Sequence, residues 1–67
     1  MNEILHQNLV KLRKQSGMSS RDISAYLHVT PACYSNYERG RRQIPLDIIV
    51  KLAELYQITI DELVRTP

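Results

Sequence analysis

The chain has 67 residues, a net charge of +2, a hydrophobic fraction of 43%, one cysteine, and neither tryptophan nor phenylalanine. That length supports one domain around one small core, and a lone cysteine excludes an internal disulfide framework, which suits a reducing cytoplasm. No basic stretch followed by an apolar run opens the chain, so no signal peptide is expected, and apolar runs such as Ile48-Ile49-Val50 are far too short to cross a membrane.

The apolar spacing is helical throughout. Leu5, Leu9 and Leu12 recur at i, i+4 and i+7 and share one face of a first helix. It should end near Ser16-Gly17, because glycine tolerates the left-handed backbone that closes a helix. Ser19 opens a second helix. Its hydroxyl can accept from the Asp22 N–H while the Asp22 carboxylate reaches back, forming a capping box. Ile23 and Leu27 give that helix its apolar side. His28-Val29 reads as a tight turn, since histidine enters positive φ more readily than most non-glycine residues. Thr30 caps a third helix with Pro31 in its first position, where a missing N–H is harmless. This helix should fray near Arg39-Gly40. Pro45 opens a fourth, with Leu46, Ile49, Leu52, Ala53 and Tyr56 as the expected inner stripe. Thr59 and Glu62 form a second capping box over a last short helix, to which Ile60, Leu63 and Val64 bring apolar contacts. Five short helices with tight connections predict a compact all-α single domain.

Charge is unevenly spread. Residues 11–42 hold seven basic groups (Lys11, Arg13, Lys14, Arg21, Arg39, Arg41 and Arg42) against Asp22 and Glu38, whereas residues 43–67 hold two basic groups against four acidic ones. A basic middle beside an acidic end reads either as ordinary solvated charge or as one surface meant for a polyanion. The third helix bears on that choice. At about 100° per residue, Pro31, Ala32, Ser35, Asn36 and Arg39 fall within about 140° of arc. Tyr34 and Tyr37 lie on the far side, with Cys33 and Glu38 at the margins. The tyrosines are therefore expected to pack inward, each hydroxyl needing a partner or solvent. The outward strip is small, polar and finally cationic, shaped to lie close against another surface.

Ser19 to Arg42, "SSRDISAYLHVTPACYSNYERGRR", resembles the helix-turn-helix of the phage-repressor-like (Xre, Cro-type) family of bacterial regulators. The wider likeness runs from "LVKLRKQSGMS" to "IPLDIIVKLAELYQITIDEL" and covers residues 9–63. Its most specific elements are Leu12-Arg13, the spacing from Ile23 to Val29, "ERGRR", "KLA" and "DEL". The resemblance implies a lambda-repressor-like five-helix fold with the motif at residues 20–39. The second helix of the motif enters the DNA major groove and the first lies across the backbone. Carried over residue by residue, it places Ser19, Ser20 and Arg21 near a phosphate and has Thr30 cap the recognition helix. Pro31, Ala32, Ser35 and Asn36 then face base edges, and Arg39, Arg41, Arg42 and Gln43 flank the phosphates beyond. It also implies a pairing of Arg13 with Glu38 that turns the arginine toward the backbone. This chain departs from the usual pattern at three positions: Ser20 replaces a Gln, Ser24 an Ala and His28 a Gly. Ser20 is shorter than Gln, so its backbone N–H at a helix start is expected to take over the phosphate contact.

Asn36 is the best candidate for direct readout, because its amide can pair bidentately with adenine, and Ala32 and Pro31 can meet a thymine methyl. An A·T-leaning half-site follows, with a further share from DNA shape. The expected function is a cytoplasmic, sequence-specific transcriptional regulator, a repressor on a palindromic operator, and not an enzyme. The other reading is a helix-turn-helix protein-interaction adaptor without operator binding. Apolar positions beyond a small core, together with the resemblance, point to a homodimer through Tyr56, Ile58, Ile60 and Val64. Any switching is expected from a protein partner or antirepressor, from concentration or from proteolysis. Tyr26 can reach a phosphate or lie half-buried. Cys33 is either a redox switch at a helix start or a small filler. His6 and His28 have no Cys–His or Asp–His grouping beside them, so no metal, cofactor or catalytic site is predicted.

Overall fold

The computed structural model describes residues 3–66, and in it the apolar spacing resolves into five helices. These are α1 (Glu3–Ser16), α2 (Ser20–Leu27), α3 (Pro31–Glu38), α4 (Leu46–Tyr56) and α5 (Ile60–Arg65). No strand occurs among the described residues, and the fold is the all-α, five-helix arrangement that the sequence predicts. Helices this short are marginal alone, so packing must hold them. The core takes Leu9 from α1, Ile23 and Leu27 from α2, Tyr34 from α3, Leu52 from α4 and Leu63 from α5, all fully enclosed. α1 lies against α5 and α3, α2 against α3 and α4, and α4 against α5.

Local chemistry sets the helix boundaries. The Asp22 N–H donates to Ser19 Oγ at 3.1 Å and the Ser19 N–H donates to Asp22 Oδ2 at 3.2 Å. Thr59 and Glu62 repeat the exchange, both at 3.0 Å. Thr30 Oγ1 accepts from the Cys33 N–H at 3.1 Å, with Pro31 behind it. Four helices close on a left-handed residue: Gly17 (φ 76), His28 (φ 59), Gly40 (φ 71) and Gln57 (φ 55). At the last three, that residue's N–H bonds three residues back and the next N–H reaches five back. The pairs are His28 to Ala25 and Val29 to Ser24, Gly40 to Tyr37 and Arg41 to Asn36, and Gln57 to Glu54 and Ile58 to Ala53. This double closure satisfies carbonyls that a helix end otherwise leaves open. Val29 and Ile58, the residues after two of these turns, pack on the core.

The inner stripe of α4 differs from expectation. Leu46 is 69% exposed, and Ile48 is buried instead. Pro45 is the cap and Leu46 the first helical residue. From there Leu46 sits about 100° away from the middle of the stripe formed by Ile48, Ile49, Leu52 and Tyr56. Ser24 is buried where α2 meets its neighbours, and its hydroxyl donates back to the Arg21 carbonyl at 2.9 Å. The hydroxyl is thus satisfied within its own helix. Asn8, buried in α1, donates from Nδ2 to the carbonyls of Leu63 and Thr66, both at 2.8 Å, and so closes the end of α5.

Candidate nucleic-acid interface

α3 has two unlike faces. Tyr34 and Tyr37 are buried, whereas Pro31, Ala32 and Arg39 are exposed and Ser35 and Asn36 half-exposed. The exposed side carries no bulky side chain before Arg39, so a second surface can approach the helix closely. Asn36 and Ser35 are the hydrogen-bonding groups on that side, and no side-chain bond within the chain is recorded for either among the described residues.

The hidden side fixes the helix to α1. Arg13 Nε donates to Glu38 Oε2 at 2.7 Å and Arg13 Nη2 to Glu38 Oε1 at 3.2 Å, a two-pronged pair. This bond holds the Arg13 guanidinium above its ordinary pKa. The buried hydroxyls of Tyr34 and Tyr56 lie beside the pair without completing a hydrogen bond. Burial first, and then the Glu38 carboxylate, push the Tyr34 hydroxyl well above its usual range. Burial, again with help from Glu38, pushes Tyr56 up to about 12. Both rings are therefore neutral at neutral pH. A second tie comes from His6, whose Nδ1 lies 2.8 Å from the Tyr37 carbonyl. A carbonyl only accepts, so Nδ1 carries the proton. The sequence reading gave His6 no role. The available signal was a donor on α1 three residues before Leu9, off the leucine stripe, and the carbonyls at the end of α3 that need partners.

The cationic residues surround this helix. Arg39, Arg41, Arg42 and Gln43 are all exposed. Arg42 folds back so that Nη1 donates to Cys33 Sγ at 3.6 Å, which brings the loop after α3 beside the helix's first turn. The Tyr37 hydroxyl is raised by the Cys33 thiol first and by burial second, while Arg42 works in the opposite direction. At the start of α2, Ser19 and Arg21 are exposed and Ser20 half-exposed. The capping box occupies the Ser19 hydroxyl and the Asp22 amide, while Ser20 and Arg21, in the first turn, have no intrahelical acceptor for their amides. Thr30 is exposed with its hydroxyl engaged in the α3 cap. Tyr26 faces outward, 43% exposed. On the last helices Ile60 is exposed, while Tyr56, Ile58 and Val64 pack partly against the core and Tyr56 turns its hydroxyl inward. Among the described residues no three His, Cys, Asp or Glu side chains group to hold a metal, and no helix is long and apolar enough to cross a membrane.

Residues 9–63 match the family described as Helix-turn-helix. Two curated relatives from Bacillus subtilis (strain 168) align over 55 residues, or 82% of this chain. The uncharacterized HTH-type transcriptional regulator YobD is 31% identical over 49% of its own length. The HTH-type transcriptional regulator AnsR is 34% identical over 47% of its length. The crystal structure of a transcriptional regulator from Listeria innocua superimposes with a TM-score of 0.86 at 28% identity, covering 90% of this chain and 56% of that one. The chain spans about half the length of the curated relatives it matches. With a helix-turn-helix at residues 20–38 and a small-residue face on its second helix, the chain belongs to the helix-turn-helix family, and the relatives it matches are named as transcriptional regulators.

Proposed function

We propose that the protein is a sequence-specific DNA-binding repressor that lays α3 in the major groove of a palindromic operator. The observation that carries this reading is the division of α3 into a buried tyrosine face and an open face of Pro31, Ala32, Ser35, Asn36 and Arg39. Contacts to phosphates position a protein and contacts to bases specify. Arg39, Arg41, Arg42, Gln43, Thr30 and the amides of Ser20 and Arg21 supply the first kind. Asn36, pairing with an adenine, and the Pro31 and Ala32 side chains, against thymine methyls, supply the second. The Arg13–Glu38 pair neutralises Glu38, which otherwise repels the duplex from the margin of α3. A homodimer through Tyr56, Ile58, Ile60 and Val64 sets two such helices one DNA turn apart, and occupancy in the cytoplasm blocks polymerase sterically. No step requires an enzyme's chemistry.

The test is a titration against random duplexes and against duplexes enriched from a random pool, at two salt concentrations. A DNA reader loses affinity with a log–log slope of about −0.9 per phosphate neutralised. Asn36→Ala should relax preference at one base step and leave non-specific affinity nearly intact. Arg41→Ala should weaken all sequences alike and flatten the slope by about one unit. Absent or salt-independent binding favours the adaptor reading and overturns this one.

A further inference from the structure

A groove of about 470 Å³ opens between the first turns of α1 and the loop that follows α3, lined by Leu5, His6, Gly40, Arg41, Arg42, Gln43 and Ile44. Its polar wall is unusual in composition. Arg41 and Arg42 line it from the loop, just after Gly40, which is left-handed at φ 71. The half-buried imidazole of His6 lines it from α1, fixed by its bond to the Tyr37 carbonyl. That carbonyl also accepts from the Gly40 N–H at 3.2 Å, so the loop and the imidazole are anchored to the same atom. With Nδ1 committed as a donor, Nε2 is the remaining nitrogen, and no second bond of the ring is recorded among the described residues. A neutral ring offers a lone pair there, and an imidazolium offers a second N–H.

We propose that this groove is a phosphodiester site on which the DNA backbone rests, with His6 contacting a phosphate oxygen through protonated Nε2, alongside Arg41 and Arg42. The site rests on the reading of α3 as a DNA-facing helix and extends the contact surface past its end onto α1. Three features favour the charged ring once a phosphate arrives. The carboxyl end of α3 presents carbonyls to Nδ1, where a cation is stabilised. The phosphate supplies an opposite charge at hydrogen-bond distance. Among nearby groups, Glu3 lies one turn away on α1, whereas Glu38, which shares the adjoining groove with His6, is offset by its pair with Arg13. Arg41 and Arg42 from the loop, and Lys11 and Lys14 along the adjoining groove, act in the opposite sense until the phosphate offsets them. Binding at this site therefore takes up a proton.

Fluorescence anisotropy of a duplex, read at about pH 8 and about pH 6 at fixed salt, tests the site. A contact made only by the protonated ring tightens wild-type binding several-fold, up to about tenfold, over that interval. The salt slope steepens by about 0.9 at the lower pH, as one more phosphate is engaged. In His6→Asn the amide keeps a donor near the position of Nδ1 but has nothing at Nε2, and the gain at low pH should vanish. His28→Asn, at the left-handed turn, should retain it. A gain that survives in His6→Asn, or wild-type binding that is indifferent to pH, overturns the proposal while leaving the DNA-binding reading intact. A wild-type protein that binds no duplex at either pH removes that reading itself. A measurement without substitution stands beside these. The His6 ring resonances should shift on addition of a short duplex, and resonances unmoved by saturating DNA refute the contact.

Discussion

The Arg13–Glu38 pair permits a worked prediction. Its side chains are 22% and 11% exposed and meet through two contacts of 2.7 and 3.2 Å. An exposed pair contributes about 0–1 kcal/mol, whereas removing one member of a fully buried pair costs about 3–5 kcal/mol because the other charge stays behind unpaired. This pair lies between those limits, with protein on most sides and two tyrosine hydroxyls as its neighbours. We therefore expect Glu38→Met or Arg13→Met each to destabilise the fold by about 2–3 kcal/mol. In a domain of this size about 1 kcal/mol corresponds to about 4–8 °C, so Tm should fall by about 10–20 °C. The double substitution fills similar volume with flexible apolar side chains and leaves no orphan charge. It should melt above either single variant. Thermal denaturation followed by circular dichroism closes the cycle. Single effects that add in the double variant to within about 0.5 kcal/mol would mean the two residues do not act as a pair, and the reasoning fails.

Other expectations follow from the same geometry. Burial raises the Tyr56 hydroxyl to about 12, above the value of about 10 for an exposed tyrosine. The folded chain then keeps a proton that the unfolded chain releases, so stability is full below about pH 10 and declines between about pH 10 and about 12. Tyr56→Phe should flatten that decline in a pH series of melts. At neutral pH it should change Tm little, since the hydroxyl has no bonded partner to lose. A neutral-pH loss above about 1 kcal/mol would reveal a bond the geometry does not show. His28 and Gln57 hold left-handed backbones, which cost non-glycine residues about 1–2 kcal/mol. His28→Gly or Gln57→Gly should thus raise stability by about 0.5–1 kcal/mol after glycine's own entropy cost, and denaturant midpoints that fall instead would contradict this. Cys33 lies beside Arg42 at the first turn of α3. Alkylating it with a bulky maleimide should block duplex binding in a gel-shift assay while helicity persists, and full binding by the alkylated protein would move the interface elsewhere.

Much of the fold was legible because its signals are local. Ser19 with Asp22 and Thr59 with Glu62 exchange bonds three residues apart, and Thr30-Pro31 fixes a helix start by itself. The inward turn of Tyr34 and Tyr37 follows from angular spacing alone. What local reading missed depends on context. Leu46 looks like the first rung of the α4 stripe, and only the packing of Ile48 against the core decides which side is inside. Gln57 carries no sequence mark of positive φ; the helix simply ends there and Ile58 must return to the core. The bond from His6 to the Tyr37 carbonyl joins residues 31 apart, beyond any periodic pattern. Residue types at the candidate interface were legible as a face. Their surroundings, above all the return of Arg42 onto Cys33, were not, because a flexible arginine in a loop has no periodicity to read.

The position of α3 is best understood from α1. A helix of eight residues with two tyrosines as its buried side chains cannot fix its own orientation by propensity. Yet the base reading proposed for α3 requires the helix to be held to within about 0.5 Å. α1 provides this with polar residues set off its leucine stripe. Asn8 closes α5 at the Leu63 and Thr66 carbonyls. His6 closes α3 at the Tyr37 carbonyl, and Arg13 grips Glu38, the last residue of α3. All three place donors, two of them cationic or able to become so, at the carboxyl ends of neighbouring helices, where orphan carbonyls and the helix dipole favour them. The start of α3 is secured separately by Thr30. α3 is therefore held at both ends by hydrogen bonds and along its middle by Tyr34, which leaves its whole outer face free for another molecule.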